Sequence, residues 1–117
     1  MPIHIKRVYD PPAAADGLRI LVDRLWPRGL TKDAAALERW DRDVAPSNEL
    51  RKEFGHDHAR WDEFRARYFA GLDANPEPVK RLAGEARKGT VTLLFAARDT
   101  ERNNAVALRE YLRKLAR

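Results

Sequence analysis

The sequence predicts a small layered α/β domain with a short, mostly parallel sheet flanked by helices. Three observations predict it. Two compact apolar runs, Leu18 to Val22 and Val91 to Ala96, have the length and continuity of strands covered on both faces. Helical spacing of apolar residues fills the interval between them. A strand-then-helix unit closes the chain, and alternation of this kind belongs to layered α/β architecture. At 117 residues the chain is one domain, 1–117, long enough to bury a core without covalent staples.

Ile3 to Val8 alternates loosely and reads as a first strand. Tyr9 to Gly17 (YDPPAAADG) is a loop, marked by its proline pair and its Asp-Gly turn signal. That loop is short for a parallel crossover, so the pattern leaves the direction of the first strand open. Leu18 to Val22 follows as a central strand. Thr31 can cap a short turn over Lys32 to Ala36, and the segment WDRDVAPS is ambiguous, partly extended. Ser47, after Pro46, is a good N-cap for a helix with Leu50 and Phe54 on one face.

The next helix begins near Asp57 and places Trp61, Phe64, Tyr68 and Leu72 at helical spacing, a stripe that reads as core packing. Asn75-Pro76 supplies an N-cap followed by proline at the first helical position, and Gly89 closes that helix. Its buried stripe is Val79, Leu82, Ala83 and Ala86. The second central strand, Val91 to Ala96, leads to a last helix predicted from Thr100 or Glu101, with Ala105, Leu108, Leu112 and Leu115 on one face. The connection from Arg24 to Thr90 is long enough to make the two central strands parallel.

Composition removes several function classes. The absence of cysteine excludes disulfides, thiolate nucleophiles and cysteine-based zinc sites. No apolar run approaches membrane-spanning length, and MPIHIKRVYD lacks the layout of a signal peptide, so a cytoplasmic setting is expected. The formal charge is +5, from 23 basic and 18 acidic groups, and seventeen of the basic residues are arginine. Guanidinium forks suit carboxylate and phosphate better than ammonium groups do. Genomic base composition can produce the same bias.

In open parallel sheets ligands bind beyond the carboxyl ends of the strands. One predicted end carries DRLWPRG, hence Asp23, Arg24, Trp26, Arg28 and Gly29. The other carries Arg98, Asp99, Asn103 and Asn104 ahead of the last helix. The two loops are expected to face one crevice, the site of a small binding module or weak enzyme for a phosphorylated or other anionic small molecule. The helix N-terminus would offer backbone N–H groups, and Arg24, Arg28, Arg98 or Arg102 forked donors. Gly29 would let backbone approach closely, Pro27 would stiffen the loop, and Trp26 is either a stacking platform or a core plug beneath the loop. Asp23 and Asp99 are the weak candidates for a general base, because an Asp beside Arg is usually a depressed-pKa ion pair. Asp23 paired with Arg24 or Arg28 would merely hold the loop, and Thr100 would cap the helix.

No Walker loop, dinucleotide glycine fingerprint, nucleophile elbow or Ser-His-Asp arrangement is present. His56 and His58 in GHDHARW are poorly spaced for a shared ligand face. No metal or cofactor is expected, although these histidines lie near Ser47 and Arg51 and could reach a ligand. An alternative function uses the basic residues of the last two long helices, Arg81, Arg87, Lys88, Arg109, Arg113, Lys114 and Arg117, as a nucleic-acid-associated or regulatory surface. Glu85 and Glu110 interrupt that surface, and no helix-turn-helix or RNA-binding signature accompanies it. A third class, an interaction domain without a small ligand, would require a large apolar surface patch.

The segments RILVDRLWPRG, APSNELRKEF and TLLFAARDTERNNA, in that order, resemble the domain of unknown function 488 family, in its YeaO-like branch. The resemblance spans Lys6 to about Leu115. It implies a compact α/β fold and a bacterial or archaeal cytoplasmic setting, and it implies no reaction, substrate or cofactor. Some relatives carry transcription-regulator labels. Another branch has a cysteine at the place of Phe95, a glutamate at Ala97, and a Cys-His-Arg at Asn103, Asn104 and Ala105. Thiol or cysteine-metal chemistry of that branch is therefore absent here, whereas Arg24, Trp26 and Arg28 carry over as site candidates.

Overall fold

The computed structural model describes residues 2–55 and 57–116. Its sheet has four strands: β1 (Ile3–Arg7), β2 (Leu18–Leu21), β3 (Arg39–Trp40) and β4 (Val91–Phe95). The order is β1-β4-β2-β3, and every pairing is parallel. β4 is the central strand, with Val91 in register with both Ile3 and Leu18. The open question of the first strand's direction is thus answered as parallel. Spanning one strand and stepping over another needs roughly 20 Å, and ten extended residues reach about 33 Å. The loop after β1 therefore manages the crossover without an α-helix, its one helical turn being the 3-10 segment Ala14–Asp16.

The two faces of the sheet are covered differently. Ile3, Ile20, Val22, Val91, Leu93 and Phe95 face a layer built from α2 (Asn48–Phe54), α3 (Trp61–Asp73), α4 (Pro76–Lys88) and α5 (Asn104–Leu115). Val8, Leu21 and Leu94 face the loops, α1 (Lys32–Ala35) and the half-buried Trp26, Leu30 and Trp40. All five residues of β4 are buried, which is why VTLLF reads as a continuous apolar run rather than an alternating one. Each fully buried Leu there contributes about 1.5–3 kcal/mol.

Most expected elements are present with their expected caps. Thr31 and Ser47 accept the N–H groups of Ala34 and Leu50. Phe64, Tyr68 and Leu72 are buried, and Phe64 stacks on Phe54 at 4.6 Å between centroids, so the aromatic stripe is core. Four details differ from the sequence reading. Arg39–Trp40 forms a two-residue edge strand that takes in only the first residue of the ambiguous segment, whose Arg42–Val44 part is a 3-10 turn. The last helix begins at Asn104, because Asp99 Oδ1 takes the N–H groups of Glu101 and Arg102 and holds a turn there, leaving Asn103 as the cap. Leu115, the last residue of α5, is 47% exposed and does not join the buried stripe. Asn75 precedes Pro76 as expected, but its side-chain amide donates to Asp43 O rather than capping.

A polar knot closes the loop face. Asp16 is buried, accepts from Lys6 and Arg19 at 3.1 and 2.6 Å, and takes the Ala13 N–H, while its own carbonyl accepts the Thr92 hydroxyl. Burial alone would raise the Asp16 pKa, but the Ala13 N–H, Arg19 and Lys6 together hold it below the ordinary value. Gly17 follows at φ +63°, where an added Cβ would lie 2.3 Å from Thr90 O.

Gly17→Ala combines a disfavoured φ with a backbone clash and should cost about 3 kcal/mol or more. Gly29→Ala, at φ +74° with nothing within 4 Å of its Cβ, should cost about 1–2 kcal/mol. Urea denaturation of both variants checks the ranking. A carboxylate with a depressed folded pKa contributes stability above its unfolded pKa, near 3.9 for Asp, and loses it as pH falls through the folded value. The stability gap between wild type and Asp16→Asn should accordingly be constant near neutral pH and shrink below about pH 4.

Candidate functional site

Because the strands are parallel, β2 and β4 end side by side. The DRLWPRG loop and the 96–103 loop leave from the same edge, and α2 and α3 lean over it. The result is a cavity of about 500 Å³. From the first loop it is lined by Asp23, Arg24, Leu25, Trp26 and Arg28; from the second and the start of α5, by Ala96, Ala97, Asn103 and Asn104. Tyr9 contributes after β1, and Pro46, Arg51, Phe54 and Phe64 contribute from the helical layer.

Most polar groups of DRLWPRG are engaged in holding the loop. Asp23 joins three elements: Oδ2 accepts the Ala96 N–H at 2.9 Å, Oδ1 accepts the Asn104 amide at 2.9 Å, and its carbonyl accepts Trp40 Nε1 at 2.8 Å. The Asn104 amide also donates to Val22 O. Arg24 donates through Nε to Pro46 O and through Nη2 to Ala45 O, both at 3.2 Å, fastening the loop to the segment before α2. Trp26 donates to Leu30 O and meets Trp40 edge-on at 5.4 Å. Of its two sequence readings, the core plug describes this position, although one part of the ring still borders the cavity. Gly29 does not line the cavity, and no backbone or side chain approaches it closely; its glycine serves a positive φ. The Arg28 carbonyl accepts the Tyr9 hydroxyl at 2.8 Å.

The second loop behaves likewise. Asn103 is buried, caps Val106 N–H and donates to Asp99 O. Arg98 and Asp99 do not line the main cavity; with Ala96 and Ala97 they border a neighbouring recess. The N–H groups of Arg102 and Glu101 hold the Asp99 carboxylate below its usual pKa, helped by the His58 ring 2.6 Å away. Committed to its turn and outside the crevice, Asp99 is not a base for chemistry there. His58 sits at this turn, with Arg102 3.4 Å from its other ring nitrogen. His56 lies outside the described residues. Among the described residues no group of three or more His, Asp or Glu side chains converges as metal ligands.

Two charged groups in the lining stand apart. The guanidinium groups of Arg28 and Arg51 are exposed and make no hydrogen bond or ion pair among the described residues. Arg51 lies one turn after Ser47, on the helix whose buried face is Leu50 and Phe54. Its nearness to the crevice depends on how α2 packs, and the sequence hints at it only through its place as the last residue of APS-x-ELR and its closeness in the chain to His56 and His58.

Comparison with known proteins places the sequence. The family model described as "Inactive DUF488-N3 subclade" matches residues 2–117. The chain belongs to this family. It is 48% identical over 115 residues to the Escherichia coli (strain K12) protein "Uncharacterized protein YeaO", covering 98% of this chain and all of that one. It is also 38% identical over 112 residues to "Uncharacterized protein Rv3073c" of Mycobacterium tuberculosis, covering 94% and 92% of the two chains. No solved structure matches. The YeaO-like resemblance of the sequence is thereby shown. Phe95 is fully buried in β4 and Asn103 is a buried helix cap, so both positions where the other branch carries cysteine serve packing here.

Asp23→Ala would leave the Ala96 N–H without its acceptor and the Asn104 amide with Val22 O alone, a lost acceptor being worth about 1–3 kcal/mol when buried. We expect a loss of at least about 2 kcal/mol in urea denaturation, against less than about 0.5 kcal/mol for Arg28→Ala.

Proposed function

We propose that this protein is a non-catalytic binding module for an anionic small molecule, held in the crevice at the carboxyl ends of β2 and β4. What carries the reading is the pair of guanidinium groups, Arg28 and Arg51, that border one cavity without partners among the described residues. A cation with no counter-charge beside a partly apolar recess gains most from an anion that brings its own. The cavity volume falls within the range of small-molecule sites. The family's description as inactive favours binding over turnover. Asp23, the remaining carboxylate at the crevice, already accepts two hydrogen bonds and is better suited to hold the loop than to move a proton. A cytoplasmic setting belongs to the same proposal. Among the described residues no helix is long and apolar enough to cross a membrane.

Thermal melting tests the reading. Wild type, Arg28→Ala and Arg51→Ala are scanned with phosphate, sulfate, small carboxylates, nucleotides and short single-stranded DNA, at low and high salt. A ligand at about a hundred times its dissociation constant adds roughly 2.7 kcal/mol, several degrees for a domain of this size. At least one small anion should raise the wild-type midpoint at both salts, with the shift reduced or lost in each variant. Equal shifts in all three proteins, or none, would sink the crevice. A shift from DNA alone, at low salt and indifferent to these variants, would move the function to the basic helical surface.

A further inference from the structure

In many α/β sites an anion is gripped by backbone N–H groups around the start of the helix that follows a central strand. In this crevice several of those donors are engaged internally. Ala96 N–H is on Asp23, Glu101 and Arg102 N–H are on Asp99, and Val106 N–H is on Asn103. A phosphate monoester brings three acceptor oxygens and a charge of about −1.5 to −2, and it is best satisfied by many such donors. Asp23 also borders the cavity and repels a dianion more than a monoanion. A carboxylate asks for less: two oxygens and one charge, matched by one or two guanidinium forks.

The walls say what the rest of the ligand is. Leu25 is 52% exposed in a well-packed chain and borders the cavity, so its apolar surface gains cover only when something sits against it. Trp26 borders the same side, while the stacked pair Phe54 and Phe64 lines the helical side. A bare inorganic anion would leave most of about 500 Å³ and all of this apolar lining wet.

Resting on the anion-binding reading above, we propose that the occupant is a monocarboxylic acid with a flat apolar body of one or two rings. Its carboxylate meets Arg28 and Arg51, and its ring system lies between Leu25 with Trp26 and the Phe54–Phe64 side. This assigns Leu25 as a specificity residue for the body and the two arginines as anchors for the head.

The test is titration of the full chain, followed by calorimetry and amide chemical shifts, with naphthoate, phenylacetate, phenyl phosphate and inorganic phosphate. Naphthoate should bind at least about tenfold more tightly than inorganic phosphate, with shifts centred on residues 23–28 and 51–54. Leu25→Ser should weaken naphthoate about fivefold or more, and Arg28→Ala should weaken every probe that binds. If phenyl phosphate or inorganic phosphate binds more tightly than naphthoate, and Arg28→Ala abolishes it, the ring-carboxylate assignment fails while the anion crevice stands. If no probe binds, or if binding ignores Arg28→Ala, both fail. Naphthoate binding that ignores Leu25→Ser alone overturns the placement of the ring.

Discussion

The structure depends on the parallel insertion of β4 between β1 and β2. A strand from the far end of the chain becomes the sheet's centre, with Val91 in register with both Ile3 and Leu18. Its pairing satisfies the inner backbone groups of both neighbours and buries side chains on two faces, and no local contact could substitute for it. The same insertion makes every carboxyl end point one way. The loops after β1, β2 and β4 must therefore emerge together, and the helical layer can close over one edge only. The crevice is a consequence of that direction, before any particular side chain is considered.

Asp23 turns this juxtaposition into a fixed geometry. One carboxylate receives the first N–H beyond β4 and the amide at the start of α5, while its carbonyl receives the indole of Trp40 from the edge strand. Arg24 adds the link to the segment before α2, and Tyr9 adds the link to the loop after β1. These bonds join elements distant in sequence, and those of Asp23 and Arg24 leave a half-buried group orphaned if the partner is removed, whereas the Tyr9 bond is exposed. DRLWPRG is rich in chemistry-bearing residues largely because a turn joining so many elements needs many donors and acceptors.

What is left over after that accounting is small and specific. Arg28 and Arg51 have guanidinium groups without partners among the described residues, Leu25 has an apolar side chain without cover, and the aromatic pair of α2 and α3 closes the far side. Some arginines outside the crevice are matched: Arg39 to Glu85 at 2.5 Å, and Arg65 to Glu110. Those two glutamates, which interrupt the basic run on the last long helices, thus hold arginines from other elements. What sets Arg28 and Arg51 apart is that both border the same cavity. Where the resemblance places cysteines in another branch of the family, this chain has a buried strand residue, Phe95, and a buried helix cap, Asn103.

The sequence by itself determined the layered α/β class, the two central strands, the caps at Thr31 and Ser47, the aromatic core stripe and the two loops of the crevice. Each of these is written locally, in apolar continuity, helical spacing or a capping side chain beside its N–H. It also identified Arg24, Trp26, Arg28, Asn103 and Asn104, which do come to line one cavity, and placed Gly29, Arg98 and Asp99 with them, which do not. Only the tertiary structure decided which of those side chains are engaged, that Arg51 and Phe54 complete the wall, and that β1 runs parallel to β4. These outcomes rest on contacts between residues far apart in the chain, such as Asp23 with Ala96 or Arg24 with Pro46. The identity of one partner carries no local mark of the other, so hydrogen bonds of this kind are fixed only when the strands have paired.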